Sequence, residues 1–174
     1  MIEIKIIDSA HQADINIPNQ PFPVFGRMVP SYVDKSWSYT VERFEQETEM
    51  CFPDECYDYD EISNNTVFIG AYDNDVCIGL AVIQDGFFKY MYLYDLKVDS
   101  DYRHMGIAKQ LIDKAKETAI SKGCKGIYTI GQDNNLAACR FYIKSGFRIG
   151  GFDTEVYKGT VQEGKADIIF YLDC

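Results

Sequence analysis

Six consecutive residues, Arg103-His104-Met105-Gly106-Ile107-Ala108, have the types and spacing to hold a phosphate. A strand-like segment, Tyr90 to Val98, runs into them, and an amphipathic helix pattern follows to about Lys122, closed by Gly123. A strand feeding a glycine-containing turn at a helix start presents unpaired backbone N–H groups and the positive end of the helix dipole. Small residues let the main chain approach the anion closely. The plain alternative is an ordinary strand-to-helix turn. Just upstream, Asp95 sets a carboxylate in an otherwise apolar strand. It could hold a substrate ammonium, or take its proton directly or through water. It could equally pair with a neighbouring Lys or Arg, while Lys97 is expected to point to solvent.

Those residues need elements to position them. Residues 1–9 read as a strand, and residues 10–40, with Pro18, Pro21, Pro23 and Pro30, as irregular. Residues 40–50 have helical propensity through Glu42, Phe44, Glu45 and Gln46, and 51–61 form an acidic aromatic loop. Two apolar strands, 66–72 and 76–84, flank the turn Asp73-Asn74-Asp75, and a third covers 87–98. The helix expected at 106–122 places Ile107, Leu111, Ile112, Ala115 and Ala119 on one stripe. A short strand at 126–130 and a helix at 135–145 follow, with Gly146 as its left-handed cap. Strands near 147–157 and 166–172 complete a mixed α/β order, and no internal repeat is present.

Bulk properties narrow the function classes. The 174 residues suit one domain, read as an arm over 1–65, a core over 66–147 and C-terminal strands over 148–174. No apolar run approaches the ~20 residues of a membrane span, and the start lacks a signal peptide's pattern. The expectation is therefore a cytoplasmic protein with no membrane partner. Its six cysteines then read as reduced thiols, and with only two histidines no metal site is expected. The net charge of −10 disfavours nucleic acid as a partner. Residues 42–61 hold nine carboxylates against Arg43 alone, whereas residues 99–148 hold nine Lys and Arg against five acids. That asymmetry fits a polyanionic cofactor and a polycationic substrate. It also fits a merely solvated acidic face.

A second segment, about thirty residues beyond the first, carries Asn135, Ala138, Tyr142, Gly146 and Phe147. Together the two segments resemble the GCN5-related N-acetyltransferase (GNAT) family. Its members carry Gln or Arg, two variable residues, Gly, one variable residue, then Gly or Ala, the places filled by Arg103, Gly106 and Ala108. The resemblance implies the acyl-CoA N-acyltransferase fold, a central mixed sheet flanked by helices, and acetyl-CoA as cosubstrate. It implies that the amides from Arg103 through Ala108 (His104, Met105, Gly106 and Ile107 among them) grip the pyrophosphate. The main chain of Leu96 and Val98 would pair with the pantetheine arm, with Asn135 and Ala138 beside it. Tyr142 would be the general acid that protonates the departing sulfur, since a phenol can donate to a thiolate. The other reading of Tyr142 is an aromatic packed on the sheet.

A narrower likeness covers Gln132-Asp133-Asn134-Asn135-Leu136, Gly151-Phe152-Asp153-Thr154, the opening Pro21-Phe22-Pro23-Val24-Phe25-Gly26 and Trp37-Ser38-Tyr39-Thr40. These segments resemble the streptothricin acetyltransferases, which acetylate the β-lysine arm of a cationic antibiotic and so confer resistance. The resemblance implies that acidic and aromatic residues gather the amine: Trp37, Tyr39, Asp54, Glu55, Tyr57, Asp58, Tyr59, Asp60 and Asp153, with Thr154 possible. Other acceptors, an aminoglycoside, a polyamine or a protein N-terminus, stay open, as does a non-catalytic CoA-binding regulatory module. Either a monomer or a homodimer fits.

Overall fold

Nine strands and two α-helices longer than one turn make up most of the chain, with a 3-10 helix at Ser9–Ile15. A computed structural model describes residues 1–174. In chain order the elements are β1 (Glu3–Ile6), β2 (Phe22–Val33), β3 (Ser36–Met50), the single turn α1 (Tyr59–Ile62), β4 (Thr66–Asp73), β5 (Val76–Gln84), β6 (Tyr90–Val98), α2 (Ile107–Ser121), β7 (Gly126–Gln132), α3 (Leu136–Lys144), β8 (Arg148–Asp153) and β9 (Asp167–Asp173). No helix is long and apolar enough to cross a membrane. The chain divides into two compact units, residues 1–20 with 52–127 and Cys174, and residues 21–51 with 128–173.

In the first unit the strands lie in the order β1-β4-β5-β6, each antiparallel to the next. Asn74 and Asp75 turn β4 into β5 in the left-handed region, as a tight hairpin requires. Helix α2 packs on β4, β5 and β6 through the expected stripe, with Ile107, Leu111, Ile112, Ala115 and Ala119 all buried. A further apolar cluster joins Ile7, Ile15, Phe68, Tyr72, Leu80 and Val82, and the rings of Tyr57 and Tyr59 settle on Phe68 at 5.8 and 5.7 Å. Between β5 and β6 the register slips. Val82 faces Asp95 while Ile83 faces Leu93, so Tyr94 is an extra residue in a bulge.

In the second unit β7, β9 and β8 lie in that order, with β8 and β9 antiparallel. A separate hairpin, β2 with β3, packs against α3, and the Met28 N–H donates to the Asp133 carbonyl at 3.0 Å. Here the structure corrects the sequence reading twice. Residues 22–33 are a strand rather than an irregular arm, and residues 40–50, expected to be helical, belong to the strand that spans 36–50. Prolines are tolerated because a two-stranded ribbon has open edges on both sides. Helical propensity at Glu42 to Gln46 is a weak preference, and cross-strand pairing overrides it. The signal was there in the alternation of buried Val24, Gly26, Met28 and Pro30, and in Asp34-Lys35, which turn with φ of 49° and 62°.

The orientation of the α2 N-terminus depends on this packing. Leu111, fully buried, is its central anchor. Leu111→Ala is expected to lower unfolding stability by about 2–5 kcal/mol in a denaturant titration. A loss under about 1 kcal/mol would show that the helix is held elsewhere.

Candidate active site

The helix start predicted to hold a phosphate has the geometry for it. Gly106 is the N-cap of α2 with φ of 78°, and no side chain caps the helix, so its first amides have no protein acceptor of that kind. His104 is also left-handed, with φ of 63°, and His104, Met105 and Gly106 are exposed. A Cβ on Gly106 would meet no atom within 4 Å, so the demand for glycine is conformational rather than steric. Successive main-chain N–H groups in such a turn, at the positive end of a 15-residue helix, fit the diphosphate of a CoA-type molecule. The Arg103 side chain does other work. It donates to Gln20 Oε1 at 3.0 Å and to the Val98 carbonyl at 3.2 Å, which ties the turn to residue 20.

Asp95 sits at the β6 bulge and is paired. Lys97 Nζ lies 2.9 Å from its Oδ2, and the Tyr57 hydroxyl donates to the same oxygen at 3.1 Å. Lys97, expected in solvent, is instead only 12% exposed. Strand alternation puts it on the Asp95 side, and Glu55 Oε2 at 2.8 Å, Asn19 Oδ1 at 2.9 Å and the Ile17 carbonyl at 3.2 Å complete its shell. Burial pulls the Lys97 ammonium down, but Asp95 and Glu55 outweigh it and hold it above the usual lysine range. Burial also raises the Asp95 carboxyl above its ordinary range, against the pull of Lys97. At Glu55 burial pushes up, and donors from Asn19 and Lys97 outweigh it, leaving that carboxyl low.

This network uses several residues expected to meet substrate. Glu55 is engaged by Lys97 and Asn19, and Asp54 accepts the Asn19 N–H at 2.6 Å. Asn16 exchanges two bonds with the Tyr57 main chain, at 2.9 and 2.7 Å. Asp54, Glu55 and Tyr57 line a cleft of about 270 Å³ with Asn16, Ile17 and Cys56. Asp58 caps α1 by accepting from the amides of Asp60 and Glu61, and Asp60 is exposed in that turn. Asn16, Asn19, Gln20 and Lys97 were missed from sequence. Only Lys97 had a signal: opposite charges two residues apart on one strand share a face.

In the second unit, Asn135 caps α3, its side chain accepting from the Ala138 N–H at 3.3 Å. The Tyr142 ring packs on Phe147 and Phe170, both at 5.3 Å between centroids, and the residue is half-buried. Cys139, one turn earlier, is fully buried and its thiol is pushed up to about 12 by burial, which suits packing rather than nucleophilic work. Trp37 and Tyr39 lie near the hairpin tip, Trp37 against Tyr32 at 4.9 Å. Asp153 ends β8, exposed, and accepts from the amides of Glu155 and Val156.

Comparison with known proteins agrees with this geometry. Residues 35–147 match the model of the acetyltransferase (GNAT) family. Over 160 residues, 91% of this chain and 92% of the other, the sequence is 36% identical to streptothricin acetyltransferase A of Bacillus subtilis (strain 168). A Bacillus anthracis str. Ames protein solved in complex with acetyl coenzyme A superposes over 100% of both chains, with a TM-score of 0.89 and 32% identity. Nourseothricin acetyltransferase shares the fold, with a TM-score of 0.80 at 19% identity over 99% of this chain and 98% of the other.

The Lys97 network can be tested on stability alone. Lys97→Met leaves two largely buried carboxylates without their cation and should cost about 3–5 kcal/mol in chemical denaturation. A cost below about 1 kcal/mol would show that water already screens the cluster.

Proposed function

The chain belongs to the acetyltransferase (GNAT) family, and from that premise we propose that it acetylates a primary amine of streptothricin, with acetyl-CoA as the donor. The observation that carries the proposal is its likeness, along nearly all its length, to a streptothricin acetyltransferase. Such an activity would act in the cytoplasm, where acetyl-CoA is available.

Acetyl-CoA, when bound, supplies an acetyl group activated as a thioester. The first amides of α2, with the left-handed turn at His104 and Gly106, hold its diphosphate. The main chain of Leu96 and Val98 pairs with the pantetheine amides in the manner of an added strand, so these side chains need not take part. Asn135 and Ala138, at the start of α3, flank the same arm. The bulge at Tyr94 leaves a backbone N–H outside the regular ladder, a donor suited to polarising the thioester carbonyl. Both donors to Asp95 converge on Oδ2, and Oδ1 is the oxygen left to accept from the incoming amine. Tyr142 holds a proton on its hydroxyl for the departing sulfur. The transfer is direct, with both substrates bound together, and the buried Cys139 forms no acyl intermediate.

Thiol release measured with acetyl-CoA and a panel of streptothricin, aminoglycosides and polyamines tests the acceptor. Streptothricin should be the fastest substrate, and rapid acetylation of aminoglycosides alone would overturn the proposal. Tyr142→Phe should lower kcat by about 10²–10⁴-fold while acetyl-CoA affinity stays within about twofold. An unchanged kcat, with chemistry rate-limiting, would reject the general-acid role.

A further inference from the structure

The acidic arm has most of its partly buried carboxylates already matched by the protein, which raises the question of where an unmatched negative site lies. One is present in the second unit. Asp153 and Asp167 stand directly opposite each other across the β8–β9 ladder. Opposed positions share a face, and like charges so placed repel. The two charges that act on Asp167 from nearby are Asp153 and Asp133, both negative. Its hydrogen-bond donor is the Tyr157 hydroxyl, at 2.7 Å. The Gln132 side chain neighbours the same hydroxyl. Gln132 is only 6% exposed, and its carbonyl oxygen has no partner in the protein. The Asn134 side-chain oxygen, two residues on, is likewise buried without one.

The faces can be assigned. Phe170 of β9 meets the Tyr142 ring of α3, so Asp167, three positions earlier on the strand, projects to the opposite side. A Cβ on Gly131 would lie 3.1 Å from the Phe170 ring and 3.6 Å from Cys139 Sγ, which is the α3 side. Its neighbour Gln132 therefore also points away from α3. An orphaned buried acceptor and two opposed carboxylates are each unfavourable when left alone. A group with several N–H donors and a positive charge relieves both, and an ammonium has three such donors.

We propose that Asp167, Asp153 and Gln132, gathered around Tyr157 on the face away from α3, form the subsite that binds a primary ammonium of the acceptor. The inference deepens the streptothricin reading and rests on it for the identity of the acceptor. Asp167 supplies the charge, Gln132 Oε1 the buried acceptor, and Tyr157 fixes the Asp167 carboxylate. These are binding and specificity residues rather than members of the acid–base chemistry.

The test is calorimetric titration of the full chain with streptothricin and with β-lysinamide, run beside titration with acetyl-CoA and the thiol-release assay. Asp167→Asn should weaken binding of both amines by at least about tenfold and leave acetyl-CoA affinity unchanged. Asp153→Asn, at an exposed position, serves as a second variant if Asp167→Asn does not fold. Unchanged amine affinity in the variants overturns the subsite, as does a wild-type chain that binds neither amine. A wild-type chain that binds both amines through Asp167 but releases no thiol overturns the acetyl-transfer reading and leaves the subsite standing.

Discussion

One ammonium, Lys97 Nζ, holds the first unit's candidate site residues in place. It meets acceptors from three separated stretches of chain: Ile17 and Asn19, Glu55, and Asp95 of β6. Two of these stretches lack regular structure near the site, since residues 16–21 and 51–58 lie outside any helix or strand. A half-buried cation among oxygens is stable only if its shell is complete, and completing the shell draws the segments together. Tyr57 then arrives with its ring on Phe68 and its hydroxyl on Asp95. The cluster holds two carboxylates for one cation, so it keeps a negative character even after pairing.

The second unit solves a different problem with less help from charge. Its hairpin is anchored by apolar alternation along β2 and by a main-chain bond from Met28 to Asp133. Asp133 also accepts the Ala166 amide at 3.1 Å, so a single buried carboxylate links the end of β7 to the entry of β9. Where the first unit satisfies its buried polar groups, the second leaves two amide oxygens unmet beside opposed aspartates. Groups left in that state in a well-packed interior are the ones expected to have a use.

What could be read from sequence follows the range of the interactions involved. The α2 stripe and the β4–β5 turn are local patterns, and both appear where their residues placed them. The glycine turn at Gly106 is local too, and its left-handed angle is what the residue type demands. The β2–β3 hairpin was obscured because prolines and glutamates argue locally against a strand, while the pairing that wins is between residues far apart in the ribbon. Lys97 was misjudged although its i, i+2 relation to Asp95 was visible, since its partners at Ile17, Asn19 and Glu55 are brought in only by folding. Asp167 carried no signal at all, and Gln132 stood out only as the first residue of a family-like segment. Their meaning depends on cross-strand register and on a missing partner, neither of which a linear sequence records.

The uncapped start of α2 has a consequence for how the protein responds to its surroundings. A cradle of peptide N–H groups contains nothing that titrates between acid and alkaline extremes, and it has no long side chain whose entropy must be lost on binding. Its hold on an anion depends on main-chain shape alone, fixed by Gly106 and by the buried helix behind it. The carboxylates proposed to face an amine are the reverse, since their strength would vary with every proton taken up on either side of the contact. Acidity in the medium would therefore reach one half of the chemistry and pass the other by.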